Sequence, residues 1–220
     1  MIALEHISLN YGDRVVLEDF TLHLPIGQTT CILGPSGCGK TTLLHVAGSI
    51  LSPQRGQVSG MVGQRGAFIF QENRLLPWLD VLENLTVHRI EQPRAVEYLE
   101  KVGLCEELHT MPEELSGGMQ RRLAIARALA YGEDYHWWDE PLQGLDLETT
   151  DRILSLIKTE LEAKTALIIT HSPEEAFALA QEIILVQGPP LTVRERIAVD
   201  SFNGVGELRN RLIQIPAISD

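Results

Sequence analysis

The stretch GPSGCGKTT, Gly34 to Thr42, has the residue types needed to grip a polyphosphate. Gly34, Gly39, Lys40 and Thr41 fit the spacing G-x-x-x-x-G-K-[ST]. The glycines let the backbone wrap an anion closely, and Pro35, Ser36, Gly37, Cys38 and Thr42 complete the loop. Lys40 can reach β- and γ-phosphates, and the Thr41 hydroxyl is a hard oxygen suited to Mg²⁺. A second stretch, YHWWDEP, ends an apolar run in Asp139 and Glu140. A carboxylate at the end of a buried strand can hold Mg²⁺ or its water, which assigns Asp139. In a β conformation the next side chain points elsewhere, so Glu140 is free to orient and deprotonate an attacking water. A third stretch, LSGGMQRRLAIARALA, opens a helix with Ser116, Gly117 and Gly118, again a start suited to an anion. Two phosphate-binding helix starts in one chain need an explanation.

The elements that must position these residues are legible as periodic runs. Ile2 and Leu4, then Phe20, Leu22 and Leu24, recur at period two and predict strands. TTCIL is a short apolar strand running straight into the glycine loop, and TTLLHVAGSI after it reads as a helix. AFIF (67–70), YHWW (135–138), ALIIT (166–170) and IILV (183–186) have the continuous apolar character of strands covered on both faces. The helical patterns RRLAIARALA, TTDRILSLIKTELEA and PEEAFALAQE separate them. The expected fold is therefore α/β with a parallel-rich sheet, N-terminal antiparallel strands and an inserted helical subdomain at about 76–126, and with its glycine loop it resembles a P-loop NTPase (RecA-like) core. Residues 188–220 read as a C-terminal extension with a helix near 205–214 and no assigned chemistry.

Composition bounds the function. The chain has 220 residues, of which 44% are hydrophobic, enough for a substantial core. No apolar run approaches the roughly 18 residues needed to span a bilayer. The start, MIALEHISLNYGD, lacks a basic region followed by an apolar core, so no signal peptide is expected. Three cysteines fit a reducing compartment better than a disulfide framework, and their spacing with the seven histidines matches no zinc pattern. The net charge of −12 with no basic run argues against nucleic acid as a partner. A local phosphate site tolerates that charge, because salt screens distant charges within about 10 Å.

Taken together, GPSGCGKT, YHWWDEP and LSGGMQRR resemble the ATP-binding-cassette (ABC) ATPase family over about residues 1–187. The resemblance accounts for the two anion sites. In that family two domains meet head to tail, so Ser116, Gly117 and Gly118 would act on the ATP held by the glycine loop of the other copy. Further motifs follow in order. Tyr11 in LNYGD matches the aromatic that stacks on adenine. Gln71 in IFQEN matches the glutamine that touches Mg²⁺ and the water and links the site to a partner. Asp146 in GLD (144–146) matches an aspartate at the dimer interface, and His171 in ALIITH the histidine near the γ-phosphate. FQENRLLPWLDVLENL is similar to the ATPases of nitrate, sulfonate and taurine importers. The resemblance implies ATP and Mg²⁺ as ligands, a homodimer with ATP at its interface and separate integral membrane permease subunits. It also implies an extracytoplasmic solute-binding protein reached indirectly, and a cytoplasmic location, peripheral on the inner face of the membrane.

Several features depart from the family pattern. The strand before Asp139 is Tyr135-His136-Trp137-Trp138 where small aliphatic residues are usual, and such bulk must displace neighbours in a close-packed sheet. The segment between Val58 and Phe68 is short, so the antiparallel sheet is expected to be trimmed, and the helical insert is short too. Trp78 has two readings, an anchor for a partner helix or core of the insert. Two other functions stay open at this level. A soluble ABC ATPase of DNA repair or translation is one, though this chain has no long insertion, duplicated cassette or basic surface. A P-loop small-molecule kinase is the other, and it leaves LSGGMQ and His171 without a role.

Overall fold

The computed structural model describes residues 1–61, 66–201 and 204–214. Two sheets and one helix between them position the site. β1 (Ile2–Tyr11), β2 (Arg14–Leu24) and β4 (Arg55–Ser59) form an antiparallel sheet in the order β2-β1-β4. β3 (Thr29–Leu33), β5 (Gly66–Ile69), β6 (Tyr135–Asp139), β7 (Thr165–Ile169), β8 (Glu182–Gln187) and β9 (Thr192–Ala198) form a second sheet in the order β5-β6-β7-β3-β8-β9. Its strands are parallel except β9, which pairs antiparallel with β8 at the edge. The expected α/β class and antiparallel N-terminal strands are therefore present. The residues at 62–65, within the segment expected to be short, lie outside the described residues.

Strand alternation divides the core. Ile32, Trp137, Leu167, Ile169, Ile184 and Val186 face one side, where α1 (Lys40–Ala47) is packed between this sheet and the antiparallel one. Cys31, Leu33, Trp138, Ile168, Ile183 and Leu185 face the other. There they meet α3 (Gln92–Lys101), α4 (Gly117–Ala130), α5 (Leu147–Glu160), α6 (Pro173–Leu179), α7 (Val205–Ile213) and the short α2 (Glu83–Thr86). Because both faces are covered, β3, β6 and β7 are buried at every residue, as their apolar runs predicted.

Helix starts follow local capping chemistry. Ser116, Asp146 and Ser172 are the N-caps of α4, α5 and α6, accepting from the N–H groups of Met119, Thr149 and Glu175. α1 stops at Ala47, earlier than its sequence pattern, because Gly48 follows. α4 runs on to Ala130 and packs against both α3 and β5, so no break falls at 126. Beyond 187 the chain supplies the edge strand β9, and α7 buries Leu208 against the core while Arg209 Nε donates to Glu174 at 2.7 Å.

Of the two tryptophans of β6, Trp137 is accommodated by glycine. Trp137 and Trp138 are both buried, on opposite faces. A Cβ on Gly66 would stand 2.5 Å from Trp137 Nε1, and one on Gly48 would stand 2.4 Å from Phe68 Cζ and 3.1 Å from Trp137 Cδ1. The bulk of Trp137, expected to displace neighbours, is thus met by neighbours that have no side chain.

His136 sits beside them, 1% exposed, with its ring edge-on to Trp138 at 5.3 Å. Burial pushes its imidazole down to about 4, with Lys164 adding to the effect. An unfolded histidine takes a proton near pH 6.5. The unfolded state therefore binds more protons through the window from about 6.5 down to about 4, and stability falls as pH drops through it. At pH 5 the loss is about 2 kcal/mol relative to neutral pH. Urea unfolding at pH 7 and pH 5 should show a drop of that order in the parent and a smaller one in His136→Phe. Equal drops in the two proteins would remove His136 as the cause.

Candidate nucleotide site

The site lies at the carboxyl ends of four parallel strands, the edge where open α/β sheets bind ligands. β3 ends in the glycine loop, β6 in Asp139, β7 runs into Thr170 and His171, and β5 into Phe70 and Gln71. The register places Ile32, Ile169 and Asp139 in one row across three strands.

The glycine loop is shaped by close contacts. A Cβ on Gly34 would stand 2.5 Å from the Val186 carbonyl, so the loop can leave the sheet here only as glycine. Gly39 caps α1 at φ +111, a left-handed conformation that other residues rarely adopt. Lys40 Nζ donates to the carbonyls of Gly34 and Pro35, each at 2.8 Å, and so holds the loop in its curl. Burial keeps this ammonium below the usual lysine range. Cys38 is buried within the loop and its thiol is pushed up by that burial.

Thr41 Oγ1 donates to Asp139 Oδ2 at 2.6 Å, joining the loop helix to the strand end. These two oxygens and Gln71 face one cavity of about 340 Å³, together with Tyr11, Ser36, Gly37, Gly39, Lys40, Thr42, Glu140 and His171. The set of hydroxyl, carboxylate and amide oxygens matches what Mg²⁺ prefers. Tyr11 is 55% exposed at the rim.

The two acids diverge, but by a turn and not by β alternation. Asp139 ends β6, whereas Glu140 has φ +49, left-handed for a residue with a side chain. Its N–H donates to the Ile169 carbonyl at 2.8 Å, and its carboxylate lies 2.8 Å from His171 Nε2. Asp139 thus points to Thr41 and Glu140 to His171.

Ser116, Gly117, Gly118 and Asp146 do not line this cavity. Ser116, Gly117 and Asp146 are exposed and Gly118 is half-buried, with a Cβ on Gly118 in ordinary contact at 3.6 Å from the Gly144 carbonyl and open space around Gly117. Asp146 is held well below the usual carboxylate range by the Thr149 N–H.

Two residues at the site were missed in the sequence. Arg14 lines the cavity and donates to the Gly37 carbonyl at 2.8 Å. Arg121 is 3% exposed, and its guanidinium donates to carbonyls at both strand ends. Its signal was present: it stands four residues before Ile125 and seven before Ala128, a charge on the buried stripe of α4. Trp78, by contrast, is 70% exposed, which excludes the core reading. It stands at the tip of a turn built around Asn84, whose side chain bonds the backbone of Leu76, Leu79 and Asp80.

Strand, glycine loop, helix and a facing acid define a P-loop nucleotide-binding ATPase domain. The ABC transporter family model matches residues 17–143. The chain is 37% identical to the taurine import ATP-binding protein of Pseudomonas aeruginosa, over 90% of this chain and 83% of that protein. It is 35% identical to an aliphatic sulfonates import ATP-binding protein of Paracoccus denitrificans, over 97% and 92% respectively. A dimeric bacterial ABC transporter cassette superposes with a TM-score of 0.82 at 28% identity, covering 92% of this chain and 100% of the other. A dimeric ATP-binding cassette in a post-hydrolysis state bound to ADP and Pi matches with a TM-score of 0.83 at the same identity and coverage. This chain belongs to the ABC transporter family, as an ATP-binding and ATP-hydrolysing cassette. That membership argues against a small-molecule kinase, and the import proteins among the relatives favour transport over repair or translation. Among the described residues no helix is long and apolar enough to cross a membrane.

Proposed function

We propose that two copies of this chain close head to tail on ATP and thereby drive a membrane permease that imports a small organic sulfonate. Glu140 deprotonates the attacking water, His171 holds that carboxylate in place, and Gln71 orients the water. Lys40 and the glycine loop hold the phosphates, Tyr11 stacks on the base, and Ser116–Gly118 and Asp146 complete the site of the other copy. Mg²⁺, when bound, would offset charge on the β/γ-phosphate oxygens, held by Thr41, Asp139 and Gln71.

The observation that carries this reading is the split of the machinery. Lys40, Thr41, Asp139, Glu140 and His171 share one cavity, while Ser116–Gly118 and Asp146 lie outside it. A second copy puts the two halves together, and the dimeric neighbours support it. The solute class rests on the relatives named for taurine and aliphatic sulfonates. Import of that type implies a position against the inner face of the membrane and an indirect partner in a solute-binding protein outside it.

The permease has a docking place in this reading. A cleft of about 310 Å³ beside the Gln71 loop is lined by Phe68, Phe70, Leu76, His88 and Tyr131, and Trp78 projects from the same turn. An exposed tryptophan is a typical anchor residue, worth about 2 kcal/mol or more when truncated. Trp78→Ala should leave the thermal midpoint of the isolated subunit in place, and its affinity for the co-expressed membrane subunit should fall by about 30-fold. Undiminished assembly with that subunit counts against docking at this turn.

A further inference from the structure

Arg121 is a charged group deep in the fold whose hydrogen-bond acceptors are all neutral, with the Asp139 and Glu140 carboxylates near enough to favour its charge but not bonded to it. Nε donates to the Pro141 carbonyl at 2.8 Å, and Nη2 donates to the carbonyls of Asp139, at 2.9 Å, and Glu140. Nη1 donates to the Phe70 carbonyl at 2.7 Å and Asn73 Oδ1 at 3.1 Å, with the Gln71 carbonyl at 3.5 Å. Burial lowers its pKa to about 10, so it remains charged at neutral pH. Burying a guanidinium without a carboxylate in contact is costly, and an apolar side chain of similar size would fill the same space more cheaply. The arrangement therefore has to be explained by what the fork holds.

It holds two segments, and both carry site residues. One is Asp139-Glu140-Pro141, whose three consecutive carbonyls converge on Arg121 because Glu140 is left-handed at φ +49. A side chain in that conformation persists only where its surroundings over-determine it. The other segment is Phe70–Asn73, which contains Gln71. Six residues on, Arg127 fixes the same loop, donating to the carbonyls of Asn73 and Arg74 at 3.0 Å each. Both arginines stand on α4, whose N-cap is Ser116. Gln120 Nε2 donates to the carbonyls of Pro112 and Leu115, so the turn before Ser116 is tied to the helix as well. From Ser116 to Arg121 the helix rises only about 7.5 Å.

We propose that Arg121 is a positioning residue that makes α4, the Gln71 loop and the Glu140 turn one rigid unit, so that seating of Ser116–Gly118 on the second copy's nucleotide sets the geometry of this chain's own Gln71 and Glu140. The proposal rests on the head-to-tail reading above and adds a route by which each site reports its occupancy to the other. Rotation of α4 about its N-terminus moves the Arg121 fork, and the fork carries both loops with it. Lysine cannot replace it, because one ammonium cannot present parallel N–H groups to two segments.

Arg121→Lys tests the proposal with three readouts. ATP affinity, by equilibrium dialysis with radiolabelled ATP, should stay within about threefold of the parent, since the fork touches no nucleotide-holding side chain. Turnover should fall by about 10²-fold, the usual cost of misplacing reacting groups by about 1 Å. The Hill coefficient for ATP should drop toward one. The double variant Arg121→Lys/Glu140→Gln should lose far less than the product of the two single losses, because part of what Arg121 does runs through that carboxylate. Losses that multiply in the double variant, or an Arg121→Lys enzyme with parental turnover and cooperativity, overturn the proposal. If Glu140→Gln itself keeps parental turnover, the reading of the site has failed and not the reading of Arg121. Should Arg121→Lys unfold, Asn73→Ala removes one acceptor of the same fork, and turnover should fall by roughly 5- to 10-fold at unchanged ATP affinity. Parental turnover in that variant likewise rejects the proposal.

Discussion

Glu140→Gln is expected to lower ATP turnover by roughly 10²–10⁴-fold, the range for loss of a general base, while ATP still binds. Glutamine keeps the size of the side chain and an oxygen able to accept from His171 Nε2, now 2.8 Å from the carboxylate. It removes the carboxylate proposed as base, while Asp139 keeps its bond from the Thr41 hydroxyl at 2.6 Å. With hydrolysis blocked, the ATP-bound pair has no route to reopen. Size-exclusion chromatography with Mg-ATP should therefore move the variant to the mass of a dimer, and washing out nucleotide should return it. A variant that hydrolyses ATP within a few-fold of the parent, or that stays monomeric with ATP at every concentration, rules out the assigned role.

Lys40→Ala is expected to remove most hydrolysis for a different reason. Nζ is the ammonium at the centre of the glycine loop, and it donates to the carbonyls of Gly34 and Pro35 at 2.8 Å. Alanine takes away the fixed cation for the phosphates and also the two bonds that keep the loop curled. A hydrogen bond to a charged group contributes about 1.5–3 kcal/mol, so ATP should bind roughly 10- to 150-fold more weakly. Saturating Mg-ATP should not restore the rate, because the lost contact also stabilises charge as the phosphoryl group transfers. Equal ATPase rates in variant and parent at saturating Mg-ATP would sink the assignment. The two variants differ in kind, with Lys40→Ala impaired in both binding and turnover and Glu140→Gln binding ATP but failing to turn it over.

What could be read from the chain alone was everything whose chemistry is local. A glycine loop, its lysine and the following threonine lie within nine consecutive residues, so their relation is set by covalent spacing and helix geometry. The apolar runs TTCIL, YHWW and ALIIT named buried strands because burial on both faces leaves no polar side. The limits of such reading show at particular residues. The helix after the loop ended at Ala47 because Gly48 follows, and the reason glycine is needed there, the close approach of Phe68 and Trp137, is a contact no window of sequence reveals. Glu140 diverged from Asp139 through a left-handed turn, where alternation had suggested a strand. Residues beyond 187 carried no motif, yet they close one edge of the main sheet.

The tertiary structure decided which distant residues meet. Thr41 and Asp139 are 98 residues apart and bonded at 2.6 Å, and Gln71 shares their cavity. That adjacency follows from the strand order β5-β6-β7-β3, which brings four carboxyl ends to one edge. Strand order is a property of packing: it depends on which apolar faces cover one another, and each run of sequence is equally apolar wherever it sits. The same holds for Arg121. Its charge on the buried stripe of α4 was visible, but its acceptors come from two loops 48 to 51 and 18 to 20 residues away. Sequence determined the chemistry each segment can perform. The packing of helices on both faces of one sheet determined that these segments perform it together, because only there do backbone carbonyls from separate strand ends come within reach of one guanidinium.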